Sequence, residues 1–78
     1  MKTFVEYMIE NHLHEDSLEG DLARDIHTDE GFPKPRKDLQ KYHKIILRHL
    51  KLMHACEDAV TTFEECWADY LAHLEVKA

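Results

Sequence analysis

Glycine, proline and cysteine are scarce in this 78-residue chain, with two of each. Two cysteines are too few to staple a small disulfide scaffold, and no Cys-x₂-Cys pair marks structural zinc. So few backbone breakers, with no alternation of apolar and polar residues, leave helix as the reading nearly everywhere. The glycines Gly20 and Gly31 are isolated, which excludes a glycine-rich loop cradling a phosphate. Long apolar runs are missing too. The longest stretch, Ile45 to Leu52, is interrupted by Arg48, His49 and Lys51, far short of the about 20 residues that span a bilayer. No apolar run follows Lys2, as a secretory signal would require. These absences point to a soluble protein of a reducing cytoplasm, with no membrane partner.

What the chain has in quantity is charge, and the charge is segregated. The formal net charge is −6. Residues 1–32 hold nine acids and two bases, and residues 55–78 hold six acids and Lys77. Between them, residues 33–54 hold seven bases against the single acid Asp38. Within that basic segment Lys37, Lys41, Lys44, Arg48 and Lys51 recur at spacings of four, three, four and three. At about 100° per residue all five fall within roughly 80° of one helix face. Leu39, Tyr42, Ile46, Leu50 and Met53 fall on the opposite face. Lys34 and Arg36 extend the basic density into the preceding turn.

The remaining pattern gives a compact all-α bundle of four or five helices in one domain spanning 1–78. Thr3 and Glu6 form a capping box, each side chain satisfying the other's free backbone N–H. Phe4, Tyr7 and Met8 give the first helix a buried face, ending near His12. Asp16 and Glu19 repeat the capping pattern before Leu18, Leu22 and Ile26, and the second helix ends near His27. Gly20 inside it costs about 1 kcal/mol of helix propensity relative to alanine, which close packing can require. Pro33 and Pro35 restrict the residues before them to extended backbone, so Gly31 to Pro35 is a rigid turn with Phe32 plugged into the core. Asp38 caps the striped helix, which runs towards Leu50 or His54, with a break near Lys51 to Ala55. Thr61 and Thr62, each followed three residues on by a glutamate, place the start of the last helix at Phe63. Its buried face is Trp67, Tyr70, Leu71 and Leu74. Phe4, Tyr7, Leu22, Ile26, Phe32, Ile46, Phe63, Trp67 and Tyr70 are assigned to the core.

Three blocks carry a resemblance: Phe4-Val5-Glu6-Tyr7, Gly31-Phe32-Pro33-Lys34 and Phe63-Glu64-Glu65-Cys66-Trp67-Ala68-Asp69-Tyr70. Their order and spacing resemble the YozE-like family of small, functionally uncharacterised proteins, mostly of Gram-positive bacteria. The resemblance implies a sterile-alpha-motif-like helical fold and carries over no site residues. Between Asp38 and Thr62 the chain is longer and more basic than that family's pattern.

Chemistry candidates are few. His12-x-His14, and His54-x-Cys56 with Cys66, lack the paired spacing of a zinc site. Cys66 beside Trp67 reads as a small core residue. Cys56 has only His54 near it in sequence to depress its pKa. The acid pairs Glu15-Asp16, Asp29-Glu30 and Glu64-Glu65 sit at expected helix starts or in loops, where they suit the positive helix end. Neither an enzyme nor a cofactor is expected, and no small-molecule substrate. The expected role is a protein-interaction module that docks through Lys34, Arg36, Lys37, Lys41, Lys44, Arg48 and Lys51 onto an acidic protein or a second copy of itself. Ile45 and Leu52 beside the row suit a protein interface. Two alternatives stand beside it. One is a nucleic-acid-binding accessory protein using the same face, with Tyr42 and His49 adding contacts. The other is a mobile-element regulator presenting Glu15, Asp16, Glu19 and Asp29 as a nucleic-acid mimic.

Overall fold

The computed structural model describes residues 2–76; Lys77 lies outside them. Four helices follow one another: α1 (Phe4–His12), α2 (Leu18–Thr28), α3 (Leu39–Leu52) and α4 (Glu57–Val76). They form an all-helical globule of 35 × 28 × 21 Å. The longest helix, α4, touches each of the other three, and α1 and α2 also pack on one another.

Local chemistry explains each boundary. At α1, Thr3 Oγ1 accepts from the Glu6 N–H at 3.1 Å and Glu6 Oε1 accepts from the Thr3 N–H at 3.2 Å, completing the capping box. The Thr3 backbone bond, ahead of its side-chain bond, holds the Glu6 carboxyl below its ordinary range. At α2 the cap is Ser17 and not Asp16: the Ser17 hydroxyl accepts from the Gly20 N–H at 3.0 Å. Because α2 begins at Leu18, Ser17 holds the cap position three residues before the free Gly20 N–H, and Asp16 stands one residue too early. Asp38 caps α3 by accepting from the Lys41 N–H at 3.1 Å.

The loop from Leu13 to Ser17 lies flat against the first turns of α2. Arg24 Nη1 donates to the carbonyls of Leu13 and Glu15, each at 3.0 Å. A Cβ at residue 20 would stand 2.0 Å from the Glu15 carbonyl oxygen, so glycine is required by this close approach. Phe32 is half-buried against the core rather than fully inserted, with its ring edge-on to His49.

The α3–α4 junction, residues 53–56, overlaps the expected break at Lys51 to Ala55. Helix α3 closes with His54 at φ 58. The His54 N–H donates to the Lys51 carbonyl at 3.1 Å and the Ala55 N–H donates to the Leu50 carbonyl at 3.0 Å. This is a Schellman closure with histidine where glycine is usual. Helix α4 then begins at Glu57, six residues before the expected Phe63, and the helices number four. Thr61 and Thr62 are interior to it, and Thr62 is buried. Glu57 and Asp58 supply the acidic first turn that favours the positive helix end.

One core joins all four helices: Phe4, Tyr7, Met8, Leu22, Ala23, Ile26, Tyr42, Ile46, Leu50, Phe63, Cys66, Trp67 and Tyr70. Its centre is aromatic. The Trp67 ring lies between 5.1 and 6.1 Å from those of Phe4, Tyr42, Phe63 and Tyr70. Each deeply buried phenol finds a backbone acceptor: Tyr70 donates to the Lys2 carbonyl at 2.6 Å, and Tyr42 to the Pro33 carbonyl at 2.9 Å. Burial pushes the Tyr42 hydroxyl up to about 12 and raises Tyr70 as well. Three apolar residues assigned to inward faces stand exposed instead: Met53, Leu18 and Leu71. Met53 follows the last turn of α3, where the chain swings away at His54. Leu18 opens α2 at the molecular surface, and Leu71 borders a groove between α3 and α4.

Candidate interaction surface

Helix α3 buries Tyr42, Ile46 and Leu50 and turns Lys41, Lys44, Arg48 and Lys51 to solvent. All four are exposed, and none forms an ion pair among the described residues. Lys37 does not belong to the helical row. It precedes the Asp38 cap and lies, exposed, in the extended segment with Lys34 and Arg36. Arg36 lines a small dimple with Lys2, Phe4 and Tyr70, beside the start of α1. The seven bases therefore divide into a helical row of four and a turn cluster of three.

The row is electrostatically costly to the fold. Residues three or four apart on a helix are about 5–6 Å apart at Cβ, inside the Debye length of about 8 Å at physiological salt. Like charges at that spacing destabilise by about 0.2–0.5 kcal/mol a pair, so the three neighbouring pairs of the row cost about 1 kcal/mol. Lys41, in the first turn of α3, also faces the positive end of the helix. The acids that could relieve this are engaged elsewhere or stand on other elements. Glu64 pairs with His43, Asp29 with His49, Glu10 with Lys2, Asp21 with Arg24 and Glu15 with His12.

Apolar surface borders the row on both sides. At about 100° per residue, Ile45 and Leu52 lie just past Lys41 and Arg48; Ile45 is half-buried and Leu52 is 69% exposed. On the other side runs the α3–α4 groove, about 480 Å³, lined by Leu39, Gln40, His43, Lys44, Trp67 and Leu71. The His43 ring stacks on Phe63 at 5.3 Å and its Nε2 bonds Glu64 at 2.5 Å, which fixes one groove wall. Tyr42 is not free to touch a partner, and His49 commits its Nε2 within the fold and faces a second groove rather than the row. Tyr42 is buried and bound to Pro33. His49 Nε2 donates to Asp29 Oδ2 at 2.8 Å. That bond, reinforced by the Gly31 N–H at 2.9 Å, holds the Asp29 carboxyl below its ordinary range.

The other candidates do not converge. Cys66 is buried, and burial pushes its thiol up to about 12, so it is an inert core residue. Cys56 is exposed in a second groove of about 510 Å³ with His49 and Met53, and no side-chain hydrogen bond joins it to His54 among the described residues. No three His, Cys, Asp or Glu side chains stand together as a metal-ion set among the described residues. Glu15, Asp16 and Glu19 cluster at the start of α2, whereas Asp29 follows its far end and turns its carboxylate to His49. Among the described residues no helix is long and apolar enough to cross a membrane. The groove beside the row has no local sequence signature, because it forms only where α3 and α4 pack together.

Comparison with curated proteins finds no match, and neither does comparison with solved structures. A family model described as YozE SAM-like fold matches residues 3–72, which covers α1 to α3 and most of α4. The chain belongs to the YozE SAM-like fold family.

Proposed function

We propose that the protein is a non-enzymatic interaction module of the bacterial cytoplasm that docks an acidic protein surface on the outer face of α3. One observation carries this reading: Lys41, Lys44, Arg48 and Lys51 form an exposed, mutually repelling row with no ion pair among the described residues. A row that costs the fold stability and neutralises nothing internal is a surface whose repulsion an acidic partner would relieve. The flanking apolar surface at Leu52 and in the Trp67–Leu71 groove favours a protein over a nucleic acid. Protein interfaces combine an apolar centre with a polar rim, whereas phosphate recognition needs no such centre. Burial of Tyr42, and the bond that turns His49 towards Asp29 and away from the row, leave no aromatic or imidazole group beside these cations on the outer face of α3 to stack on bases.

The test is fluorescence anisotropy with a labelled glutamate- and leucine-containing peptide, and separately with duplex DNA and single-stranded RNA. Each is titrated at low and at physiological salt. Peptide binding that the Lys41→Glu/Arg48→Glu variant loses supports the reading. Tight nucleic-acid binding that weakens steeply with salt and disappears in the same variant overturns it in favour of a phosphate-binding face.

A further inference from the structure

The groove of about 510 Å³ opens where the last turn of α2, Phe32 and the α3–α4 junction meet. It shares no lining residue with the Trp67–Leu71 groove. Its floor belongs to the core, at Leu22, Ile26 and Leu50. Its lip is Met53, 62% exposed, which stands at the surface just before the left-handed turn at His54. No lysine or arginine lines it. Asp25 lines it, is exposed and makes no ion pair among the described residues. Asp29 is engaged within the fold by His49 Nε2 and the Gly31 N–H, and it keeps its negative charge on the wall. The end of α2 adds the negative partial charge of its last carbonyls. The positive end of α4 also reaches the groove at Cys56, where Glu57 and Asp58 of the first turn offset it.

Independently of the α3 row, we propose that this groove binds a segment of a partner protein in which a large apolar side chain stands beside a lysine or arginine. The apolar side chain packs on Leu22, Ile26 and Phe32 beneath Met53, and the cation lies at Asp25 and the end of α2. Charge complementarity selects the cation. The lining holds two carboxylates, and its one basic side chain, His49, already gives its Nε2 to Asp29. The apolar floor selects the neighbouring side chain, and the flexible thioether of Met53 can close over groups of different shape. The surface outside the cavity favours a protein segment over a small amine. Leu52, 69% exposed, follows Met53 round α3 and lies between it and the basic row at about 100° per residue. A ligand confined to the cavity leaves Leu52 in water, whereas a chain that crosses the lip covers it. One apolar anchor and one cation make a small contact, so the dissociation constant should lie at about 0.1–1 mM.

The test follows backbone amide shifts of the ¹⁵N-labelled protein while a short peptide with two leucines and two lysines is added at about 0.15 M salt. Perturbed amides should concentrate in residues 22–32 and 49–59, which hold the groove. The same peptide with its lysines acetylated, or with its leucines replaced by serine, should bind at least about threefold more weakly. Asp25→Asn and Met53→Gln, both at exposed positions, should each weaken binding about three- to fivefold while the rest of the spectrum is unchanged. Asp16→Asn removes the same charge at the opposite end of α2 and should leave the affinity unchanged, which separates recognition from general attraction to a chain of net charge −6. No perturbation up to about 5 mM peptide overturns the proposal, as do perturbations centred elsewhere. Equal binding of the acetylated or serine peptide overturns it too, and so does an equal loss in Asp16→Asn and Asp25→Asn. The Lys41→Glu/Arg48→Glu variant should bind this peptide undiminished, so the groove and the α3 row stand or fall separately.

Discussion

Replacing Trp67 by alanine should remove the keystone of the aromatic core. Trp67 is 7% exposed and its ring contacts those of Phe4, Tyr42, His43, Phe63 and Tyr70, which joins α1, α3 and α4. Burial of an aromatic side chain removes about 150–250 Å² from water. At about 25 cal/mol per Å² that is about 4–6 kcal/mol, in line with the about 3–5 kcal/mol measured for large aromatic-to-alanine changes in cores. At about 0.05–0.15 kcal/mol per residue, a domain of this size is stable by about 4–12 kcal/mol in total. The variant should therefore lose a third or more of its stability, and it reaches its unfolding midpoint in water if the parent lies at the lower end of that range. Urea titration followed by far-ultraviolet circular dichroism reads the loss directly, and the melting temperature should drop by at least about 12 °C. A loss below about 1 kcal/mol would refute the account of the core and place Trp67 on the surface.

Other perturbations bear on separate parts of the argument. Gly20→Ala should destabilise by about 1–3 kcal/mol, because the new methyl meets the Glu15 carbonyl; helix propensity alone predicts a gain of about 1 kcal/mol, so the sign of the urea-midpoint shift decides. His54→Gly should raise the urea midpoint by the equivalent of about 0.5–1 kcal/mol, since glycine adopts the left-handed closure of α3 without steric cost but gains freedom when unfolded. Asp29 has a folded pKa below its unfolded value, so its contribution is complete above the ordinary carboxylate range and disappears as pH falls through the folded value. Asp29→Asn should thus flatten the acid limb of stability measured between about pH 6 and pH 2, although Glu6 continues to contribute in the same direction. Lys41→Glu/Arg48→Glu should leave stability unchanged or raise it by up to about 1 kcal/mol, because like-charge pairs become opposite-charge pairs; a loss above about 2 kcal/mol would show that the row is paired within the fold.

Features set by neighbouring residues were legible before the structure. The Thr3–Glu6 capping box and the Asp38 cap involve partners three residues apart, so the side chain, the N–H it serves and the spacing are all visible in one short window. The buried stripe of α3 follows from its period, and the amphipathic contrast there is strong enough that packing does not override it. The start of α4 was not legible for the converse reason. Thr61 and Thr62 have the form of caps, but Thr62 packs into the core and the helix runs on through both. Nor was Met53, which matches the apolar period of α3 but stands 62% exposed because the helix ends one residue earlier. The left-handed residue that turns the chain there is a histidine, and histidine does not announce a helix end as glycine does.

The surface divides along the same line. Exposure of Lys41, Lys44, Arg48 and Lys51 follows from their opposition to Tyr42, Ile46 and Leu50 on one helix. Their lack of internal partners depends on where α1, α2 and α4 carry their acids, and that is a property of the tertiary fold. His43 meets Glu64 across 21 residues of chain and His49 meets Asp29 across 20, spacings with no local signature. The groove formed by Leu39, Trp67 and Leu71 likewise exists only once α3 and α4 are packed together.

The most direct test of the α3 face as a docking surface is residue-resolved. Backbone amide shifts of the ¹⁵N-labelled protein are followed while the glutamate- and leucine-containing peptide is added at low salt. The account predicts that perturbed amides concentrate between residues 39 and 52 and around Trp67 and Leu71, and that they fade as salt is raised. Perturbations centred on α1 or α2, or none at any peptide concentration, would contradict it.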